Sequence, residues 1–162
     1  MNPASAGLLM FRRPAGGLQV LLAHPGGPFW ARRDEGAWSL PKGEVGEGED
    51  VFAAALREFE EETGCSPSGP FIDLGEVRQK SGKRVRAWAF EADFDPARLR
   101  CNLFEIEWPP RSGQRRQFPE IDRAEWFTLD AARRKLLAAQ HPFLERLEHA
   151  VAGHDHPADD RP

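Results

Sequence analysis

Two short apolar runs open the chain, "AGLLMFRR" and "GLQVLLAHP", with "PAGG" between them. Bulky aliphatic residues bounded by Pro and Gly predict a β-hairpin. "GGPFWARRDEG" follows as a glycine-bounded loop. "AWSLPKGEVGEGE" predicts a brief strand near Trp38 to Leu40 and then a stretch too rich in Gly and Pro to be regular. From Glu49 to Thr63 the apolar positions recur at helical spacing, and Gly64 suits the stop. Beyond it, "FIDLGEVRQKSG" and "KRVRAWAFEADF" predict strands joined at Ser81-Gly82, with Val85, Ala87 and Ala89 alternating against Arg84 and Arg86. "NLFEIEWPP" predicts a strand ended by Pro109-Pro110, "RSGQRRQFPEIDR" a polar loop, and "AEWFTL" a further strand. "DAARRKLLAAQ" and "HPFLERLEHAVAG" predict closing helices, with Pro142 in the first turn of the second. This order implies an α/β protein: a mixed sheet with helices on both faces, one domain over residues 1–153. Residues 154–162, "HDHPADDRP", are expected to be a disordered tail.

Composition narrows the class. Hydrophobic residues make up 40% and charged residues 30%, as in soluble globular proteins. A net charge of −4 with both signs interspersed argues against a bulk nucleic-acid or membrane binder. Local arginine clusters, Arg32 with Arg33 and those between Arg111 and Arg116, remain able to meet phosphates. Two cysteines, Cys65 and Cys101, make neither a disulfide framework nor a four-thiol zinc site. The apolar stretch near the N-terminus is too short for a signal peptide or a membrane span. A reduced, cytoplasmic protein is expected.

The charge pattern that demands explanation is "REFEEETGC", from Arg57 to Cys65. At about 100° per residue, with Glu58 at zero, Glu61 falls at about 300° and Glu62 at about 40°. Three carboxylates therefore share one arc, bordering an apolar face of Phe52, Ala55, Leu56 and Phe59, while Glu60 points away to solvent. Like charges at this spacing oppose folding. Helix geometry alone leaves open a solvated acidic face or a site for a hard divalent cation, which takes oxygen ligands. The preceding loop "PKGEVGEGE" adds Gly43, Gly46 and Gly48, which let backbone approach a ligand closely, and Lys42, a point charge suited to phosphate. Arg57, on the flank, is placed to orient one carboxylate. Together these suggest a metal-bridged pyrophosphate site, where a metal neutralises phosphate oxygens and lowers the pKa of an attacking water. A glutamate free of the metal would take that water's proton.

Gly43, five residues, Glu49, seven residues, then "REFEEETGC" resembles the Nudix box at every fixed position, with Phe59 and Cys65 in its apolar places. The resemblance implies an α/β/α sandwich and Mg²⁺- or Mn²⁺-dependent hydrolysis of a nucleoside diphosphate linked to another group. It also implies that Glu58 and Glu62 are leading metal ligands, with Glu61 a further ligand or the base. Lys42, through its carbonyl, would lie beside the metals with Gly43, and Arg57 and Glu49 would hold the loop–helix geometry, which Gly64 closes. "WSLPKGEVGEGED" and "PEIDRAEWFTLDAA" are similar to parts of the family's diadenosine polyphosphate hydrolases. There Glu120 falls where those enzymes place an additional metal-binding glutamate; it reads equally as a surface loop residue. The chain departs from that branch in having no tyrosine and a long "LRCNLFEIEWPPRSGQRRQF" segment.

A nucleobase must then stack on another aromatic. Phe29, Trp30 and Phe118 are candidates, with Trp30 beside Arg32 and Arg33 for phosphates. Trp38, Trp88, Trp108 and Trp126 are expected in the core or on the sheet, and Cys65 and Cys101 as small buried apolar groups. His154 and His156 form a weak chelating pair in the tail. Three functions compete: a pyrophosphohydrolase of dinucleoside polyphosphates, the favoured one; a (deoxy)nucleoside triphosphate pyrophosphohydrolase for damaged nucleotides; and a non-catalytic nucleotide- or RNA-binding module. The third is disfavoured because every box glutamate is present. A small-molecule nucleotide, and no nucleic acid or membrane, is the expected partner.

Overall fold

The computed structural model describes residues 4–154. Residues 155–162, including His156 and the rest of the expected tail, lie outside the described residues. Its elements run β1 (Ser5–Arg12), β2 (Gln19–Pro25), β3 (Lys42–Glu44), α1 (Val51–Thr63), β4 (Phe71–Arg78), β5 (Arg84–Glu91), β6 (Leu103–Glu107), β7 (Arg115–Pro119), β8 (Ile121–Thr128), α2 (Leu129–Lys135) and α3 (His141–His154). Among these residues a six-stranded sheet has the order β4-β5-β1-β2-β8, with β3 also paired to β1. Only β1 and β5 run parallel; the other pairs of this sheet are antiparallel. The expected mixed sheet is therefore present.

β1 is the central strand and is buried on both faces, which explains its unbroken apolar run. Ala6, Leu8 and Met10 pack with Leu21 and Phe90 beneath Ala54, Ala55 and Phe59 of α1. Leu9, Phe11, Val20, Leu22 and Val85 pack on the opposite face with Trp38 and with Phe143, Leu144 and Leu147 of α3. Helices thus cover both faces, as the order of elements along the chain anticipates.

Along its second edge, β1 pairs with β2 only at Phe11↔Val20 and Arg12↔Gln19, and with β3 at Ser5↔Glu44, Ala6↔Gly43 and Gly7↔Lys42. β1 and β2 therefore splay apart, and β3 fills the opening beside the acidic end of α1. Gly7 permits this: a Cβ there would collide with the Pro41 carbonyl.

Several local expectations need correction. The glycine-rich stretch read as irregular contains β3, because pairing with β1 outweighs its poor strand propensity. Helix α1 starts at Val51, not Glu49: Asp50 is the N-cap, its side chain accepting from the Ala53 N–H. The polar segment read as a loop instead forms β7, which pairs with β6 from Leu103↔Pro119 to Glu107↔Arg115 in a separate two-stranded sheet. β7 itself, "RRQFP", has no alternation of polar and apolar residues; it is a strand because β6 offers a partner, with Phe118 set opposite Phe104. "DAARRKLLAAQ" is helical only to Lys135; a 3₁₀ turn at Ala138–Gln140 follows. Cys65 and Cys101 are half-buried rather than buried. Trp108 lies beyond the end of β6, outside both core clusters, its ring edge-on to Phe29.

Candidate active site

Helix α1 and the loop before it carry the site. Phe59, fully buried, sets the helix rotation, so Glu58 and Glu62 fall at the border between the packed face and solvent. Gly64 ends the helix in the left-handed region at φ 80°, its N–H donating to the Glu60 carbonyl. Glu60 accepts from the Ser66 hydroxyl and is exposed, outside the cluster as expected.

Arg57 ties loop to helix. Its Nε and Nη2 donate to the two oxygens of Glu49 at 2.8 and 2.9 Å, and Nη2 also donates to the Glu44 carbonyl at 3.1 Å. Nη1 donates to Glu58 at 2.9 Å and to both oxygens of Glu61 at 3.2 and 3.3 Å. The guanidinium hydrogen bonds hold the Glu49 carboxyl down to about pH 2 for titration, helped by the Gly46 N–H at 2.8 Å. The same contacts raise the Arg57 pKa further above its already high value. Both groups stay charged, and the fork geometry fixes loop residues 44–49 against the helix.

Glu62 is in a different position. Burial pushes its carboxyl up to about 8, against the Lys42 N–H that donates to it at 3.2 Å. Burial also raises Glu58 and lowers the Lys42 ammonium. Gly43 lies against Glu58: a Cβ there would overlap that carboxyl group.

Glu58, Glu61, Glu62 and Glu120 line one cavity of about 450 Å³ with Lys42 and Gly43. A second cavity of about 220 Å³ shares Lys42, Glu62 and Glu120 but, apart from Ser39, is otherwise lined by apolar residues, with Trp30, Pro25, Leu40 and Ile121 in its walls. The chain thus joins an acidic chamber to an apolar one across three residues. Glu120, which sequence distance alone could have left on a remote loop, stands at the junction. Its carboxylate has no hydrogen-bond or ion-pair partner among the described residues.

The donor set is oxygen throughout and suits a hard divalent ion such as Mg²⁺ or Mn²⁺. Among the described residues no three carboxylates, thiols or imidazoles converge as a ready-made cage; Arg57 Nη1 is hydrogen-bonded to both Glu58 and Glu61. The surplus of negative charge around Glu62 and the glycine cradle at Gly43 fit such an ion.

Of the remaining expected residues, Trp30 reaches the apolar chamber, and the Arg33 guanidinium lies 5.6 Å from its ring centroid. Arg32 is exposed and lines neither chamber, so the structure does not bring it to the site. Sequence reading missed Ser5, Lys83 and Asn102, which line the acidic chamber. No local motif marks them; the parallel β1–β5 pairing places the first two, and the base of the β6–β7 hairpin places the third. It also missed His24, fully buried, which bonds Asp122 through Nδ1 at 2.8 Å and the Arg33 carbonyl through Nε2 at 2.6 Å. His24 thereby pins the loop that carries Trp30 to strand β8.

A mixed sheet between helices, with an arginine-braced glutamate helix behind a glycine loop, defines a class of nucleotide pyrophosphohydrolases. The NUDIX domain family matches residues 1–147, and the chain belongs to that family as a pyrophosphohydrolase. It is 31% identical over 135 residues to an RNA pyrophosphohydrolase of Rhizobium meliloti, covering 74% of this chain and 73% of that protein. Its fold matches an Ap4A hydrolase of C. elegans in a binary complex, with TM-score 0.65 and 23% identity over 92% of this chain and 98% of that one. It also matches the NUDIX domain of Shewanella oneidensis NrtR complexed with ADP ribose, with TM-score 0.63 and 18% identity over 93% and 89% of the two chains.

Proposed function

We propose that this chain, as one Nudix domain over residues 1–153, hydrolyses a pyrophosphate linkage in a nucleoside diphosphate derivative, with dinucleoside polyphosphates its favoured substrates. The observation that carries this reading is the pair of joined chambers: an acidic one for metal and phosphates, and an apolar one beside Trp30 for a nucleobase. Glu58, Glu62, Glu120 and the Lys42 carbonyl are the oxygens that hold Mg²⁺ or Mn²⁺, with Glu61 a further ligand or the base. When bound, the ion offsets phosphate charge and acidifies the attacking water. Lys42 binds a phosphate oxygen, Arg57 and Glu49 keep the carboxylates aimed, and Trp30 with Arg33 stacks the base. The site takes a small-molecule nucleotide in the cytoplasm; the net charge of −4 gives no track for a long polyanion.

The test is a panel of diadenosine tetraphosphate, nucleoside triphosphates, ADP-ribose and NADH with Mg²⁺ and with Mn²⁺. ATP plus AMP from the tetraphosphate supports the dinucleotide reading. Turnover confined to triphosphates, with release of pyrophosphate, overturns it in favour of nucleotide sanitation. The relatives named RNA pyrophosphohydrolase favour one second reading, an RNA with a 5′-triphosphate, so such an oligomer belongs in the panel.

The brace is separately testable. Lysine in place of Arg57 keeps the charge but cannot engage Glu49 by two bonds while reaching Glu58 and the Glu44 carbonyl. Arg57→Lys is expected to lose about 10–100-fold in metal affinity or activity. A metal titration and steady-state kinetics check this; parent-like values in both would show that the fork is dispensable.

A further inference from the structure

The hairpin of β6 and β7 contributes no residue to either core cluster, yet it carries Phe104, Ile106 and Phe118. We propose that this hairpin and the Gly26–Arg33 loop form a stacking platform for the second nucleoside of a dinucleoside polyphosphate, outside the two chambers; this rests on the pyrophosphohydrolase reading above.

The hairpin grows from the rim of the site. Asn102, just before β6, lines the acidic chamber, and Glu120, just after β7, lines both chambers. The Glu120 N–H donates to the Asn102 carbonyl at 2.9 Å and clasps the base. Strands of this length extend about 17 Å at about 3.4 Å per residue, so the platform lies one nucleoside beyond the chambers.

Strand register puts Phe104 opposite Phe118 and Ile106 opposite Arg116, so these four share one face. The loop lies against that face. A Cβ on Gly27 would stand 2.8 Å from the Phe104 ring, and one on Gly26 would collide with the Pro119 carbonyl, so both glycines permit the contact. Phe29 meets Trp108 edge-on, with ring centroids 5.4 Å apart. Phe29 is nevertheless 65% exposed, and it adjoins Trp30 in the chain, so an open aromatic surface continues from the apolar chamber outward.

The charges choose the occupant. Arg116 lies on the aromatic face and pairs with no carboxylate among the described residues, whereas Arg115, on the opposite face, is bonded to Glu105 at 3.2 Å. Rings beside one free guanidinium suit a base and its 5′-phosphate. Glu105 and Glu107 on the other face, and the overall charge of −4, exclude a continuous basic track, so the ridge fits one further nucleoside rather than a polymer.

The test compares binding of a methylene-bridged, non-hydrolysable diadenosine tetraphosphate with that of adenosine tetraphosphate, by calorimetry with Mg²⁺ on the full chain. The Trp108→Ala/Arg116→Ala variant should weaken the two-nucleoside ligand about 10-fold, leave the one-nucleoside ligand unchanged and melt at the parent temperature. Arg116→Ala alone, at an exposed position, should show part of the same selective loss, which guards against a misfolded double variant. Equal parent affinity for the two ligands, or equal weakening of both, would overturn the platform. A selective gain for a 5′-triphosphorylated RNA oligomer, lost in the variant, would overturn it in favour of RNA. Should the parent hydrolyse nothing yet still favour the two-nucleoside ligand through these residues, the platform stands and the hydrolytic reading fails.

Discussion

Glu62→Gln is expected to abolish hydrolysis, by about 10³-fold in kcat, while leaving the metal-free protein at least as stable as its parent at pH 8. The two effects have one cause. Burial raises the Glu62 carboxyl to about 8, so the metal-free fold favours the neutral acid. A raised carboxyl contributes stability that is fully present below its unfolded value of 4.5 and is lost as pH rises through about 8. The parent's stability in a chelator should therefore fall between pH 5 and pH 8.5, by an amount on the order of a few kcal/mol, and its melting temperature should fall with it. Glutamine carries no titrating charge at this position, so the variant should lose that part of the slope. Added Mg²⁺ or Mn²⁺ should raise the parent's melting temperature more at pH 8 than at pH 5, because fewer molecules must give up the Glu62 proton to bind it there. Thermal melts across pH with and without metal, beside steady-state kinetics, check all of this. An active Glu62→Gln enzyme would remove Glu62 from the site; a strongly destabilised one would mean that its charge is already compensated without metal.

The same conflict between folding and chemistry decides how much of the molecule was legible in its sequence. Local patterns sufficed where one element makes its own signal. The Phe59 face of α1, the Gly64 stop and the alternation in β5 all follow from spacing, and Glu58, Glu61 and Glu62 occupy one cavity as their arc requires. Legibility failed where pairing partners are distant. Lys42–Glu44 is a strand only because β1 needs an edge after parting from β2. Arg115–Pro119 has the polar composition of a loop, and becomes β7 because Phe118 and Phe104 meet across the ladder. Lys83 and Ser5 enter the acidic chamber through a parallel register that no short segment encodes. Arg32 fails for the opposite reason: neighbouring Trp30 in sequence does not turn its side chain toward Trp30's chamber.

Gly43→Ala is expected to cost at least about 10²-fold in activity while changing stability by about 1 kcal/mol or less. Gly43 pairs with Ala6 in an ordinary strand conformation, so alanine strains nothing in the backbone. Its Cβ would instead occupy the space of the Glu58 carboxyl, the far end of a flexible side chain. The fold can accommodate the methyl group by turning Glu58 away, and that movement breaks the 2.9 Å bond from Arg57 and removes a carboxylate from the acidic chamber. Metal affinity should fall with activity, since a ligand oxygen is misplaced. Gly48 supplies the contrast: it has open space around it but a φ of 74°, so Gly48→Ala should lose stability through backbone strain and keep its metal affinity. Melts, metal titrations and kinetics on the two variants separate these cases. A fully active Gly43→Ala protein would show that Glu58 works from another position, and a Gly43→Ala protein that barely folds would make the glycine a requirement of the sheet rather than of the site.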